Sequence, residues 1–247
     1  MHLAIDDRWS AGGADSKGAD MTRTQRSAPE ATSTVSGDPP GAEASALGFE
    51  RVVFFSDAVF AIVITLLVLP LTAEIELPET GEGLARQVWA MWPTALTFAV
   101  SFLVIGQFWI AHHRTFGHIR RQDTGLVWCN LLALLTVAFL PFPAALLGTH
   151  STTEDAFAVV FYAASLTVTS AAVTGTWLYA VRRQLVDESL AADEQRTFTR
   201  RALATTAVFA ASIGAAFLGL LVAVACWVVV LPAVRLAASR RRAARLP

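Results

Sequence analysis

Long apolar runs separated by short polar segments most constrain what this chain can fold into. The first run, Val52 to Leu71, has the roughly 20 residues that a helix needs to cross about 30 Å of hydrocarbon. Further runs cover residues 88–110, 126–147 and 156–181. Charged residues make up only 16% of the chain, against roughly 25% in an ordinary soluble domain. The pattern predicts an all-α integral membrane protein.

The last apolar stretch, residues 202–234, predicts two further helices. Its length of about 33 residues is too great for one ordinary span and sufficient for two short ones. Gly214 or Gly219 is the expected turn between them. The chain is therefore predicted to have six transmembrane helices per subunit.

Residues 47–238 are predicted to form one six-helix transmembrane domain. Residues 1–46 are rich in small and polar residues without an apolar period, which predicts a disordered cytoplasmic tail. Residues 239–247 form a basic cytoplasmic tail. Translation starts at Met1 or at Met21, and neither alternative alters the predicted spans.

Arginine placement predicts the orientation, because short cytoplasmic loops collect basic residues. With six spans and both termini inside, the predicted inner segments hold nearly all of the arginines, and the predicted outer loops are acidic. The inner residues include Arg114, Arg120, Arg121, Arg182, Arg183, Arg196, Arg200, Arg201, Arg235, Arg240, Arg241, Arg242 and Arg245. We therefore expect a multi-pass plasma-membrane protein with cytoplasmic N- and C-termini.

Asp57 is the residue that most requires a partner, since a carboxylate inside an apolar span costs several kcal/mol unless it is paired or hydrated. Arg51 lies about 120° away around the same helix, which favours partners on other helices. The candidates at the same predicted depth are His112, His113, Arg114, Trp128 and Asn130. A buried polar cluster of five residues is predicted either to lock three helices together or, alternatively, to act directly in proton or ion transfer. Its members are Arg51, Ser56, Asp57, His113 and Asn130.

Other kinds of site receive little support from the sequence. His112 and His113 are adjacent and point about 100° apart on a helix, whereas metal-binding pairs prefer i, i+4 spacing, so no metal site is predicted. The sequence contains no nucleotide-binding loop, no Ser-His-Asp order and no Gly-Tyr-Gly filter. We expect neither an enzyme nor a bound cofactor, and no nucleic-acid partner.

The string RVVFFSD, which contains Arg51, Phe55, Ser56 and Asp57, is followed by AVFAIVITLLVLPL. Together they closely resemble the start of the first helix in the transmembrane protein 175 family, the lysosomal potassium channels and their prokaryotic relatives. The likeness continues in QFWIAHHRTFGHI and NLLALLTVAFLPFPAALLG, and so covers roughly residues 49–148. It implies a prokaryotic, leak-like, potassium-selective channel. Because this chain carries a single six-helix repeat, the resemblance also implies a homotetramer with the first helix lining a central pore.

The resemblance assigns roles to residues of the first helix. It implies that Ile62, Leu66 and Leu69 form an apolar pore constriction and that Thr65 contributes to selectivity. Taken alone, the spacing of the three apolar residues is typical of a helix face that contacts lipid or a neighbouring helix. The implied interhelical polar network comprises Arg51, Ser56, Asp57, His112, His113, Trp128 and Asn130.

Two other functions stay open at this point. One is a proton-coupled membrane carrier that uses Asp57 and His113, and the other is a non-conducting membrane scaffold. In the channel hypothesis the partners are further copies of the chain, the lipid bilayer and permeating potassium ions.

Overall fold

The structure, a computed structural model, describes residues 40–73, 81–150 and 156–230, and most of these residues are helical. A π-helical turn, Cys226–Val230, follows the last α-helix. In chain order the α-helices of the described ranges are α1 (Pro40–Leu66), α2 (Leu69–Ala73), α3 (Gly81–Ala90), α4 (Trp92–Gly117), α5 (Thr124–Phe139), α6 (Pro141–His150), α7 (Phe157–Arg182), α8 (Ala192–Ala216) and α9 (Leu220–Ala225).

Four helical segments of the described ranges are long and apolar enough to cross a membrane. They coincide with the first four apolar runs of the sequence, so the prediction of a helical chain with membrane-spanning segments is confirmed at this level. The segments are Leu47–Thr72, Trp92–Gly117, Thr124–Thr149 and Phe157–Arg182.

The described part of the last apolar stretch, residues 202–230, contains the end of α8 and the whole of α9, with a turn at Gly219 between them. This glycine has φ +123°, a backbone conformation that favours a residue without a side chain, whereas Gly214 lies inside α8. The indole Nε1 of Trp227 donates a 2.9 Å hydrogen bond to Ser212 Oγ and ties the two helices together. Since α8 begins with charged residues and the chain after Val230 lies outside the described ranges, the six-span count stays a prediction.

Helix α1 begins at Pro40, earlier than the predicted start of the membrane domain at residue 47. Proline suits the first turn of a helix, because it has no backbone N–H and the N–H groups of the first turn have no acceptor within the helix. Residues 1–39 of the predicted tail and the predicted C-terminal tail, 239–247, lie outside the described residues.

The first span is interrupted at Leu67 and Val68, between α1 and α2. Pro70 explains the break, because its ring clashes with the carbonyl four residues earlier, that of Leu66, and it has no amide to donate. The amide of Val68 bonds instead to the carbonyl of Thr65 at 3.3 Å. The predicted run from Val52 to Leu71 is therefore one helix followed by a short second one.

The loops at residues 118–123 and 183–190 are joined by what we call the loop clasp. Three backbone bonds connect the loops. Asp187 N–H donates to His118 O at 2.9 Å, and the amides of Arg120 and Arg121 both donate to Leu185 O, at 3.0 and 3.3 Å. Exposed ion pairs accompany them: Arg120–Asp187 at 2.8 Å, Arg121–Glu188 at 3.0 Å and Arg183–Asp123 at 3.5 Å. The clasp connects the ends of α4 and α7 to the starts of α5 and α8.

Asp123 of the clasp also begins α5. Its Oδ1 accepts a 2.7 Å bond from the amide of Leu126, and its Oδ2 accepts a 3.0 Å bond from the hydroxyl of Tyr179. The Leu126 amide, followed by Tyr179 and Arg183, holds the pKa of Asp123 below its ordinary value of 3.8. A group with a depressed folded-state pKa stabilises the fold above its unfolded pKa, and this stabilisation is lost as the pH falls.

We therefore expect Asp123→Asn to lower the thermal unfolding midpoint at about pH 7 and to have a smaller effect at about pH 3. Asparagine retains the capping oxygen for Leu126, so the substitution removes mainly the charge. The measurement is thermal unfolding of both proteins in detergent at the two pH values. Asp193→Asn, at a site with a 95% exposed side chain, is the control and is expected to change little. A difference for Asp123→Asn that grows on acidification contradicts the assignment.

Candidate functional site

One face of α1 packs against α4 and α5 and carries the polar group at the centre of the candidate site. Ser56, Phe60, Val63 and Leu67 are buried and follow the spacing of one helix face. Three of these side chains are apolar, so Ser56 is a polar interruption of an otherwise apolar contact. A buried hydroxyl needs a partner, and the neighbouring helix α5 supplies one.

A hydrogen-bond chain links α4, α5 and α1. His112 Nε2 lies 2.8 Å from Asn130 Oδ1, and Asn130 Nδ2 donates to Ser56 Oγ at 2.9 Å. Ser56 Oγ in turn donates to the carbonyl of Val52 at 2.8 Å. His112, Asn130 and Ser56 are all almost completely buried. We call these three residues the polar clasp.

The bonds of the polar clasp fix which atoms donate. Ser56 donates its only proton to Val52, so it accepts from the amide nitrogen of Asn130. The amide oxygen of Asn130 therefore faces His112, and His112 Nε2 must carry a hydrogen to donate to it. The three side chains form a directional chain that ends on the backbone of α1.

Aromatic rings enclose His112. Its ring stacks on Phe116 with centroids 4.4 Å apart and lies 5.5 Å from Phe60. The Nδ1 atom is buried and has no hydrogen-bond partner among the described residues. The imidazole is thus held by one strong polar contact and by packing, which suits a residue that fixes three helices relative to one another.

Asp57 bonds to a residue that the sequence analysis did not name. Its Oδ1 accepts a 2.9 Å hydrogen bond from Trp109 Nε1 on α4. The ring of Trp109 lies 5.6 Å from that of His113, and among the described residues no hydrogen bond joins His113 to Asp57. Trp109 lies about one helical turn before His112 and His113, close to the depth predicted for Asp57. That position could have marked it as a candidate partner.

Two other predicted members of the network lie apart from the polar clasp. Arg51 and Trp128 are both exposed, and Trp128 has 63% of its surface accessible. Within the described ranges, neither joins the hydrogen bonds of Ser56, Asn130 and His112. The proposed roles of these two residues stay predictions.

A second face of the first span, about 120° around the helix from Ser56, carries an exposed apolar strip. Ile62, Leu66 and Leu69 are 58%, 40% and 54% exposed, and we call these three residues the apolar strip. Leu69 lies in α2, beyond the break at Pro70. Thr65, between them, donates its hydroxyl to the carbonyl of Ile62 at 2.7 Å. In the most apolar 18-residue stretch of this span only 22% is buried, and the corresponding values for the next three spans are 39%, 44% and 50%.

No group of three or more metal-ligating side chains occurs in the part of the chain that the structure describes. His112 turns to Asn130 while its neighbour His113 lies against Trp109, so the two imidazoles do not converge on one point. The arrangement offers hydrogen bonding between helices and an exposed apolar surface.

Comparison with known proteins agrees with this geometry. Residues 51–141, which include α1, α4, α5 and the polar clasp, match the family described as "Endosomal/lysosomal potassium channel TMEM175". A potassium channel of Streptomyces collinus is 38% identical over 136 residues, which cover 53% of this chain and 64% of that protein. The human endosomal/lysosomal proton channel TMEM175 is 31% identical over 133 residues, 51% of this chain and 26% of the human protein.

A solved structure shares the fold beyond the matched region. It is the crystal structure of a lysosomal potassium-selective channel TMEM175 homolog from Chamaesiphon minutus. Its TM-score is 0.65 at 28% identity, and the match covers 77% of this chain and 98% of the other. The curated relatives are matched over 64% of their length or less. The chain is therefore similar to the TMEM175 family over its first three spans, and it shares the fold of this channel structure.

Proposed function

We propose that this protein is a leak-like, potassium-selective cation channel of a prokaryotic plasma membrane. In this proposal four copies assemble with α1 innermost, both termini face the cytoplasm, and the apolar strip lines the pore. The single observation that carries the proposal is the exposure of that strip on a helix whose other face is held by the polar clasp.

The burial of the four apolar spans supports an oligomeric pore. The first span is the least buried of the four, which makes it peripheral in one protomer. A peripheral helix becomes central when several protomers surround an axis on that side. Ser56 fixes the rotation of α1, so Ile62 and Leu66 would project toward such an axis.

The residues of the strip suit a gate. A narrow apolar ring excludes hydrated ions by dewetting, and a small widening lets water and ions through. Because the hydroxyl of Thr65 directs its hydrogen to Ile62 O, the oxygen lone pairs remain available to a partly dehydrated cation. The permeating potassium ion is the cargo, and the proposal involves no cofactor and no catalysis.

The test is ion flux from vesicles that contain the purified full-length protein. Potassium-loaded vesicles diluted into sodium solution are expected to lose potassium much faster than protein-free vesicles. The rate should rise with the potassium gradient without saturating, and sodium-loaded vesicles should release their ion more slowly. Potassium release no faster than from empty vesicles overturns the proposal and favours the scaffold hypothesis.

Proton permeation is a second candidate, because the human relative is named a proton channel. A pH gradient across the same vesicles, with a pH-sensitive dye inside, distinguishes the two ions. The proton-coupled carrier hypothesis predicts instead a saturable uptake that a pH gradient drives and that Asp57→Asn abolishes. Since Asp57 bonds to Trp109 and not to His113, Trp109→Phe should impair such coupling as strongly.

A further inference from the structure

A cleft of about 720 Å³ lies between α4, α7 and α8, apart from the polar clasp. Arg114, which lines it, is about 200° around α4 from His112 of the clasp. The volume falls within the range of about 300–1,000 Å³ that is typical of small-molecule sites. Nothing in the proposed pore uses this cleft.

The cleft is basic. Arg114, His118 and Arg201 line it, and no lining residue is acidic. Arg201 is partly buried, and its Nε atom is buried without a hydrogen-bond partner among the described residues. A guanidinium group withdrawn from water is costly unless an anion or hydrogen-bond acceptor compensates it. The arginines therefore favour an anionic ligand.

The same face of α4 adds a polar group deeper in the bundle. Gln107, Ala111, Arg114 and His118 follow the spacing of one helix face, and Gln107 lies about 10 Å from Arg114 along the axis. Gln107 Oε1 is buried and has no hydrogen-bond partner among the described residues. This acceptor lies about two turns of α4 from Arg114, too far along the helix to serve the same small group.

Apolar side chains complete the lining. Phe108, Ile110, Val173 and Trp177 contribute to the walls, and Ile110 is 39% exposed. Trp177 is fully buried and its indole nitrogen donates to Thr199 Oγ1 at 2.9 Å, so Trp177 supports the wall from beneath while Ile110 exposes apolar surface. A ligand with a charged head and an apolar continuation fits these walls.

We infer that the cleft binds a phosphate ester, with Arg201 and Arg114 donating to the phosphate oxygens and the apolar walls receiving the rest of the ligand. Arginine binds phosphate oxygens through two parallel N–H donors, and basic pockets between membrane helices bind anionic lipid headgroups. The same chemistry is offered by an anionic phospholipid and by a free phosphate ester such as glycerol phosphate.

Binding is tested on the purified full-length protein in detergent. Dioleoyl phosphatidylglycerol is expected to raise the thermal unfolding midpoint, and dioleoyl phosphatidylcholine, with the same chains, is not. Arg201→Gln should weaken the phosphatidylglycerol effect at least about tenfold in the concentration required. Arg200→Gln, an equal charge change at an exposed neighbour outside the cleft, should leave it unchanged.

Further arms separate the ligands and guard against misfolding. Glycerol phosphate that stabilises the protein as well as phosphatidylglycerol does identifies the free ester as sufficient. If Arg201→Gln fails to fold, Arg114→Gln is measured in its place. A second measurement determines the phospholipid that each purified variant retains, as moles of phosphate per mole of protein. Equal stabilisation of the arginine variants and the wild type, or no preference over phosphatidylcholine, overturns the inference. The assay needs no ion flux, so its outcome is independent of the proposed channel function.

Discussion

Replacing Ile62 with asparagine is expected to raise potassium release from vesicles several-fold and to reduce the preference for potassium over sodium. An apolar ring resists wetting, and an amide at each of its positions would hold water in the closed pore. Leu66→Asn should act in the same direction. The measurement is the initial rate of release from vesicles loaded with either cation.

The control for Ile62→Asn is Val168→Asn on α7. Both are β-branched apolar residues, and their exposure is nearly equal at 58% and 56%. Val168 lies on another helix and is not part of the apolar strip, so its replacement should leave the rate unchanged. Equal rates for wild type, Ile62→Asn and Leu66→Asn contradict a pore lined by the strip, and a rise in the Val168 variant shows that any exposed amide suffices.

Replacing Asn130 with leucine is expected to destabilise the fold by about 1–3 kcal/mol. The substitution keeps a side chain of similar size but leaves His112 Nε2 without its acceptor and Ser56 Oγ without its donor. Both atoms lie where water cannot readily replace the lost partner. Denaturant unfolding in mixed micelles, followed by circular dichroism, measures the change.

A pair of serine variants isolates the interhelical part of this effect. Ser56 and Ser165 each donate to the carbonyl four residues earlier, at 2.8 Å in both cases. Only Ser56 also accepts from another helix. Ser56→Ala should therefore cost about 1 kcal/mol and Ser165→Ala less than about 0.5 kcal/mol. Equal costs would mean that the bond from Asn130 contributes nothing measurable.

The helical spans were predictable because lipid imposes a length and a polarity on any segment that crosses it. The same reasoning predicts that three polar residues lie at a similar depth. Ser56 and Asn130 lie a few residues after the first and third apolar runs begin, and His112 follows the end of the second run. These three residues form the polar clasp. Pore lining by Ile62, Leu66 and Leu69, and the role of Thr65 in selectivity, stay predictions.

The depth of a residue does not fix how its helix is rotated about its axis. For this reason the sequence does not predict which side chains face one another. His112 and His113 have nearly the same depth, but only His112 turns to Asn130. The bond between Trp109 and Asp57 was not predicted because an indole donor carries no charge that would mark it as a partner. The loop clasp joins segments more than sixty residues apart, and no periodicity in the sequence encodes that pairing.

The loop clasp combines charge pairs in water with backbone bonds, and the two respond differently to dissolved salt. At roughly 0.15 M ions the Debye length is about 8 Å, and it shortens to about 3 Å at 1 M, so concentrated salt weakens pairs such as Arg121–Glu188. The backbone bonds from Asp187 to His118 and from Arg120 to Leu185 are largely unaffected. A test of the proposed channel function varies the potassium concentration, and this would also change how strongly the ion pairs hold these loops together. Comparisons across potassium concentrations therefore need constant ionic strength, with an impermeant salt making up the difference.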